Sequence, residues 1–535
     1  MENDAAWGLG ARQDTPARVR GGWIGLRSLT VPLVLLLVLR LPSLFEPHWY
    51  TDEAGYANVA FQMAHGKILF LTTWNNKPPL LFWLYQLGYG ISGVSEFGIH
   101  LLSTFTEAVA LGGTWVLARR YLSPGRVWVA MLLASFFLAI PVFNGDLALP
   151  ENFLIGATPW AMVAVLAALR SNERSRAALW AGLAGVIFAT AILIQQTALA
   201  DLAAAGLVML VTSPRGWRLA LTTSLAALVV IAAVLTPFVV AAGLHKVIFF
   251  LVTGYSSYTS TSLRPSFVSL VPRAAAGFLL LVGAYAARKW SADKLLLWVW
   301  LAALLLAYAI PNRDYLHFLL PAVPPAALLL ARMGMPQWRS WKSWPALAWL
   351  PLTGSLALST FIWVSLVGAG LPGGSLFTVK LAGEYYPAFV GRLTGALTMR
   401  EYVSVYSQTV VPEYQAVEWI KRNHLTGSTA VVWSPDSWAY LLAGLRPILP
   451  EPTIYENNLL LGAKALVARV AKERPAVVLI TSNSYTEYGP ILPVLQKDYV
   501  EVQASASGEL WISSGVASRV LGAAENRADL RHSSW

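Results

Sequence analysis

Residues 48–84, HWYTDEAGYANVAFQMAHGKILFLTTWNNKPPLLFWL, are the stretch of the chain most informative about chemistry. Two adjacent carboxylates, Asp52 and Glu53, follow Thr51 at a helix start, and Lys77 stands directly before Pro78 and Pro79. A carboxylate can orient a hydroxyl or accept its proton. An ammonium held in the extended backbone that precedes a proline can neutralise an anion at a defined place. Each group also has a plainer reading. Thr51 caps a helix whose dipole the two acids complement, and Lys77 is an interfacial lysine that snorkels to the headgroups.

Three further places carry polar groups of this kind. Asp146 and Glu151 flank Leu-Ala-Leu-Pro, with Pro150 marking Glu151 as a helix-start acid. The tight turn Ile194-Gln195-Gln196 joins two apolar runs. Arg313 and His317 lie four apart in PNRDYLHFLLPAVPPAALLLA, residues 311–331, at the start of a helix, where a guanidinium and free backbone N–H groups suit phosphate oxygens. Read singly, Arg313 is a membrane anchor and His317 a structural hydrogen-bonding residue.

The elements that must position these groups cross a membrane. Of the 535 residues, 56% are hydrophobic and 13% charged, with mean hydropathy +0.54, against roughly 25% charged in a soluble domain. That excludes a soluble globular enzyme. Apolar runs of spanning length fall at 28–45, 97–118, 127–143, 152–170, 177–194, 196–213, 218–242, 270–287, 294–311, 315–332 and 345–368, which predicts a polytopic α-helical membrane protein of about eleven spans. The first run lacks a cleavage site and is expected to stay attached as a span. Residues 79–93 are short and aromatic, and the basic residues decide their placement. If they lie on the outer surface as an interfacial helix, 18 of the 25 Lys and Arg before residue 368 face the cytoplasm and six face out, with Arg40 inside the first span. If they cross, every later basic cluster changes sides. The loops holding Asp52, Lys77, Asp146, Glu151, Gln195, Gln196, Arg313 and everything beyond residue 368 are then extracytoplasmic, with residues 1–27 a cytoplasmic tail.

After residue 368 the pattern shortens. Helices at 412–424, 435–443, 459–473 and 485–496 alternate with strands at 429–433, 476–481, 498–503 and 509–513, which predicts a small α/β domain within 369–515 and a polar, frayed tail at 516–535. No glycine-rich loop follows either strong strand, so a nucleotide site is not expected. The net charge of +11 comes without a basic stripe interleaved with aromatics, so lipid headgroups rather than nucleic acid are the expected counterpart. With no cysteine, disulfides and thiolate chemistry are excluded.

The first span followed by YTDEAGYANVA, then NKPPLLFWL, and much later RDYLHFLLPAVPPAALL resembles the GT-C superfamily of polyprenyl-phosphate-sugar glycosyltransferases. The similarity is to the branch holding the protein O-mannosyltransferases, the bacterial aminoarabinose transferases and the Rgt-type lipopolysaccharide sugar transferases, and covers residues 28 to about 335. The resemblance implies a cell-membrane enzyme that moves a sugar from a polyprenyl-phosphate donor to a lipid, glycan or protein acceptor on the outer face, inverting the anomeric carbon. It implies Asp52 as the catalytic or acceptor-orienting acid with Glu53 beside it, Lys77, Arg313 and His317 as donor-phosphate contacts, and Glu151 as an acceptor or sugar contact, a role also expected of Asp146, Gln195 and Gln196. Many relatives carry a lysine where Gln195 and Gln196 stand, which puts a second cation on the phosphate in doubt. A divalent metal bridging Asp52 and phosphate is compatible with these residues, and none is required by them. Two other classes compete. A transporter or flippase of lipid-linked sugars would use polar groups at mid-span, and Glu107 and Asp201 sit within spans; a membrane-anchored binding protein would work through its outer domain alone.

Overall fold

A computed structural model describes residues 22–254, 275–279, 292–309, 315–333, 375–407, 410–481, 488–505 and 508–525. The expected spans at 270–287 and 345–368 fall largely or wholly outside the described residues, as does Arg313.

The helical part runs α1 (Gly22–Arg40), α2 (Thr51–Ala64), α3 (Pro79–Ser92), α4 (Glu96–Tyr121), α5 (Pro124–Ala139), α6 (Pro150–Leu154), α7 (Thr158–Arg170), α8 (Arg174–Ile194), α9 (Leu199–Thr212) and α10 (Gly216–Ala242), with later helices at Ala292–Ala309 and Val323–Met333. Among the described residues five segments are long and apolar enough to cross a membrane: Arg27–Phe45, Glu96–Tyr121, Pro150–Arg170, Arg174–Ile194 and Gly216–Ala242. Their outward side chains are apolar: Val38, Leu179, Val229 and Val240 are all more than half exposed. An apolar surface on a helix that also packs inward is a lipid-facing surface. This is a multi-pass membrane bundle.

Prolines shape the bundle where the site will sit. The apolar run at 152–170 is broken into α6 and α7, because Pro159 near the start of α7 cannot donate to the turn before it. The stretch Leu316–Ala322 winds as a 3₁₀ helix containing Pro321 before Val323–Met333 continues as α-helix. Residues 79–93 do form a short separate helix, α3, packed back on α4 so closely that a Cβ on Gly98 would lie 2.2 Å from the Gly88 carbonyl oxygen.

The C-terminal part holds a five-stranded sheet of β1 (Thr429–Trp433), β2 (Arg446–Pro447), β3 (Val477–Thr481), β4 (Tyr499–Ser505) and β5 (Gly508–Ser513), in the order β2-β1-β3-β5-β4. Strands β2, β1 and β3 are parallel, while β5 and β4 pair antiparallel beside them. Ala430, Val432, Val477 and Leu479 enter one apolar cluster, and Val431, Trp433, Val478 and Ile480 another. Both faces are therefore covered, which is why β1 and β3 read as unbroken apolar runs. The helix expected at 459–473 is two, Ile454–Leu461 and Ala463–Glu473, parted by Gly462 at φ +82°. The chain continues as a helix, Ser514–Glu525, into residues expected to form a polar tail.

Candidate active site

At one end of the bundle, beneath the α/β domain, lies a recess of about 710 Å³, partly open to solvent, lined by Asp52, Tyr56, Lys77, Glu151 and His317 together with residues of the C-terminal part. Four of the residues singled out in the sequence thus share one space, although many apolar helices separate them along the chain.

Asp52 sits in the first turn of α2, half-buried. Thr51 does not cap that helix. It is the first helical residue, and its hydroxyl donates instead to Asp436 Oδ1 of the C-terminal part at 2.6 Å. Nearby, Asn58 Nδ2 donates to the Ser437 carbonyl at 2.9 Å. Helix α2 is thereby fastened along one side to the α/β domain, which fixes the direction in which Asp52 points.

Lys77 is placed by its neighbours. Its backbone N–H donates to Asn75 Oδ1 at 3.1 Å, and Pro78 (φ −67°, ψ 162°) turns the chain into α3. The Lys77 ammonium lies 6.0 Å over the Tyr56 ring. Gln196 Nε2 donates to the Asn76 carbonyl at 2.6 Å and to the Leu251 carbonyl at 3.0 Å, so the turn between α8 and α9 braces the peptide before Lys77. The adjacent Gln195 donates to Glu151 Oε1 at 2.8 Å. Both glutamines therefore orient groups of the recess and bring it no charge. His317 is buried with Nδ1 lacking a hydrogen-bond partner, its ring stacked 5.5 Å from that of Tyr315.

The sequence reading missed the roof. Glu451, Thr453 and Glu456 line the recess from above. Asn75 Nδ2 donates to Glu451 Oε1 at 3.4 Å and the Trp74 N–H to the Pro450 carbonyl at 3.0 Å. The only signal was two acids around Pro-Thr after a strand, with nothing in their spacing to link them to residue 77. Burial raises Asp52 above the ordinary carboxylate range, His317 and Lys77 pull it back, and Glu151 pushes it up again. Burial pushes Glu456 up to about 7 against the Thr453 hydrogen bond, and holds Glu451 well above its usual value.

The sequence profile of the family described as dolichyl-phosphate-mannose-protein mannosyltransferase matches residues 76–243. The chain is 27% identical over 151 residues to an undecaprenyl phosphate-α-4-amino-4-deoxy-L-arabinose arabinosyl transferase from Pseudomonas savastanoi pv. phaseolicola, covering 27% of this chain and 28% of that one. It is 26% identical over 412 residues to a protein of the same description from Sodalis glossinidius, covering 71% of this chain and 70% of that one. The chain spans less than a third of the length of the first curated relatives it matches. The crystal structure of ArnT from Cupriavidus metallidurans bound to undecaprenyl phosphate superposes with a TM-score of 0.59 at 18% identity, covering 93% of this chain and 99% of that one. The chain shares the fold of that structure.

Within this fold, Glu53 and Asp146 stand apart from the recess. Glu53 is fully buried and turned toward α4, where its Oε1 lies 3.1 Å from His100 Nε2 and accepts the Ala148 N–H. With Glu96 these two residues form a buried Glu/Glu/His group able to coordinate a divalent metal. Asp146 is buried near Arg40, which partly offsets the burial that pushes it up to about 6. The two acids within the apolar runs, Glu107 and Asp201, have partners inside the bundle. Glu107 pairs with Arg40 at 3.2 Å and accepts from Asn152 at 2.9 Å, and Asp201 accepts from Trp300 Nε1 at 2.6 Å. Arg40 also donates to the Gly145 carbonyl and to Ser103.

Proposed function

We propose that the protein is an integral-membrane glycosyltransferase that moves a sugar from a polyprenyl-phosphate donor to a lipid, glycan or protein acceptor. The observation that carries this reading is the meeting of Asp52, Lys77, Glu151 and His317 in one recess under the α/β domain. An acid opposite a fixed ammonium is what such a transfer needs, since a polyprenyl phosphate is already an activated leaving group. The acceptor hydroxyl, its proton passing to Asp52, attacks the anomeric carbon. The bond from that carbon to the phosphate oxygen breaks, and the departing polyprenyl phosphate takes the electron pair. Attack opposite the leaving group inverts the anomeric configuration. Lys77, with Arg313, neutralises the growing charge on the phosphate, as fixed positive charges aimed at a leaving group do, and His317 offers it a hydrogen bond. Glu151, held by Gln195, receives a hydroxyl of the sugar or acceptor. Glu53 and Asp146 stand behind the recess and support it.

The same reading places about eleven spans within residues 28–368, the recess and residues 369–515 on the extracytoplasmic face, α3 on the outer surface, and residues 1–27 in the cytoplasm. The distribution of Lys and Arg supports that orientation. The ion pair of Glu107 with Arg40 and the hydrogen bond from Trp300 to Asp201 support this reading over that of a transporter.

The test is transfer by purified protein in lipid from a panel of radiolabelled polyprenyl-phosphate sugars, comparing the wild type with Asp52→Asn and Lys77→Ala. Loss of transfer in both is expected. Undiminished turnover in both variants, or passage of labelled lipid across vesicles with no transfer, overturns the assignment.

A further inference from the structure

Glu53, Glu96 and His100 meet where α2 and α4 begin, each offering one ligand atom, all within 4.8 Å of one another. His100 Nε2 lies 3.1 Å from Glu53 Oε1 and 3.5 Å from Glu96 Oε2. Ligand bonds of ~2.0–2.2 Å around a tetrahedral zinc set neighbouring ligand atoms roughly 3.3–3.6 Å apart. Two edges of the group are therefore close to the spacing that a bound ion requires.

The surroundings aim these atoms inward. His100 Nδ1 is 2.6 Å from the Ser43 carbonyl oxygen, which can only accept, so that nitrogen carries a proton. In the neutral ring Nε2 then keeps its lone pair, the arrangement by which a backbone carbonyl orients a metal-binding histidine. Glu96 is braced from behind by His48 Nδ1 at 2.7 Å on Oε1, leaving Oε2 toward His100. Glu53 is fully buried, and its Oε2 has no hydrogen-bond partner. A buried carboxylate oxygen without a donor is costly unless something absent from the protein's own hydrogen bonds satisfies it.

Charge points the same way. The buried carboxylates Glu46, Glu53, Glu96, Asp146 and Glu107 act electrostatically within one neighbourhood together with His100 and Arg40. Arg40 is already paired with Glu107. A divalent ion supplies the positive charge that one imidazole cannot.

We propose that Glu53, Glu96 and His100 bind a divalent cation, best matched by Zn²⁺, which cross-links the first turn of α2 to the first turn of α4. The ion touches no reacting atom. It fixes the helix turn that carries Asp52, one residue before Glu53, and so acts by position. The proposal rests on this group alone and stands or falls apart from glycosyl transfer.

The experiment is elemental analysis of the detergent-purified, tag-free full chain, with Tm recorded after chelation and again after Zn²⁺ is returned. About one zinc per chain is expected for a buried site formed in the folded chain, and at least tenfold less in His100→Gln and Glu96→Gln. The chelated wild type recovers its Tm with Zn²⁺, and His100→Gln does not respond. Because the wild-type measurements need no variant to fold, misfolding of a variant leaves the test intact. Wild-type protein without zinc and without a Tm response to Zn²⁺, Co²⁺ or Mn²⁺ overturns the site. So does zinc retained undiminished in well-folded His100→Gln and Glu96→Gln.

Discussion

Asp52 and Glu53 are consecutive residues that serve different places: Asp52 lines the recess, while Glu53 reaches His100 on α4 at 3.1 Å. Successive residues on an α-helix point about 100° apart, so one turn of α2 can face a substrate and the bundle core at once. The two acids should therefore fail differently when changed. Asp52→Asn is expected to reduce transfer by ~10²–10⁴-fold, the usual worth of a general base, with Tm nearly unchanged. Glu53→Gln is expected to lower Tm, because a disturbed buried polar group costs about 1–3 kcal/mol of stability. Transfer rates and melting curves of the two variants, side by side, check this. Equal effects on both readouts would dissolve the distinction.

Asp52 also sets a pH dependence. Its carboxyl is raised by burial and pulled back by His317 and Lys77. A base works only when deprotonated, so kcat/KM should climb with pH through an acidic limb lying above the ordinary aspartate value of about 3.9. Lys77→Met removes one stabilising charge and should move that limb to higher pH while also raising KM for the donor. The pH profiles of the two proteins give the comparison, and a limb that stays in place or moves down refutes the coupling.

Glu456 makes a prediction about stability. Its folded-state value is pushed to about 7 from a reference of 4.5, so over that interval the native state binds more protons than the unfolded chain. Stability attributable to this group is then complete below the unfolded value and falls as pH rises through the folded one. Glu456→Gln cannot titrate and should flatten the decline in Tm between roughly pH 4.5 and 7. Parallel Tm–pH curves for the variant and the wild type would show that the group titrates normally.

Much of this was readable before the fold was known, for a physical reason. In a chain with 13% charged residues, a carboxylate or ammonium at the end of an apolar run is conspicuous, which is how Asp52, Lys77 and Glu151 stood out, with His317 noticed for its place four residues after Arg313. Strands β1 and β3 were equally legible, since burial on both faces leaves only apolar residues. What escaped depended on distant partners. The Thr51 hydroxyl looked like a helix cap, but Asp436, 385 positions away, receives it. Glu451 meets Asn75 across 376 positions, and no local pattern encodes that pairing. The two residues of β2 are strand only because β1 lies beside them.

The glutamine pair between α8 and α9 tests how far bracing without charge matters. Gln196 holds the Asn76 carbonyl that precedes Lys77, and Gln195 holds Glu151. A single hydrogen bond is worth about 0.5–1.5 kcal/mol, so each alanine variant should change kinetics by roughly 2–10-fold, far less than loss of Asp52. The direction separates them. Gln196→Ala loosens Lys77 and should raise KM for the polyprenyl-phosphate donor. Gln195→Ala releases Glu151 and should act on acceptor KM or on discrimination between donor sugars, leaving affinity for bare polyprenyl phosphate unchanged. Donor and acceptor titrations, with polyprenyl phosphate as a competing ligand, distinguish these outcomes. If Gln195→Ala weakens bare polyprenyl phosphate as much as Gln196→Ala does, Glu151 acts through the phosphate end of the recess and its assignment to the sugar or acceptor is wrong.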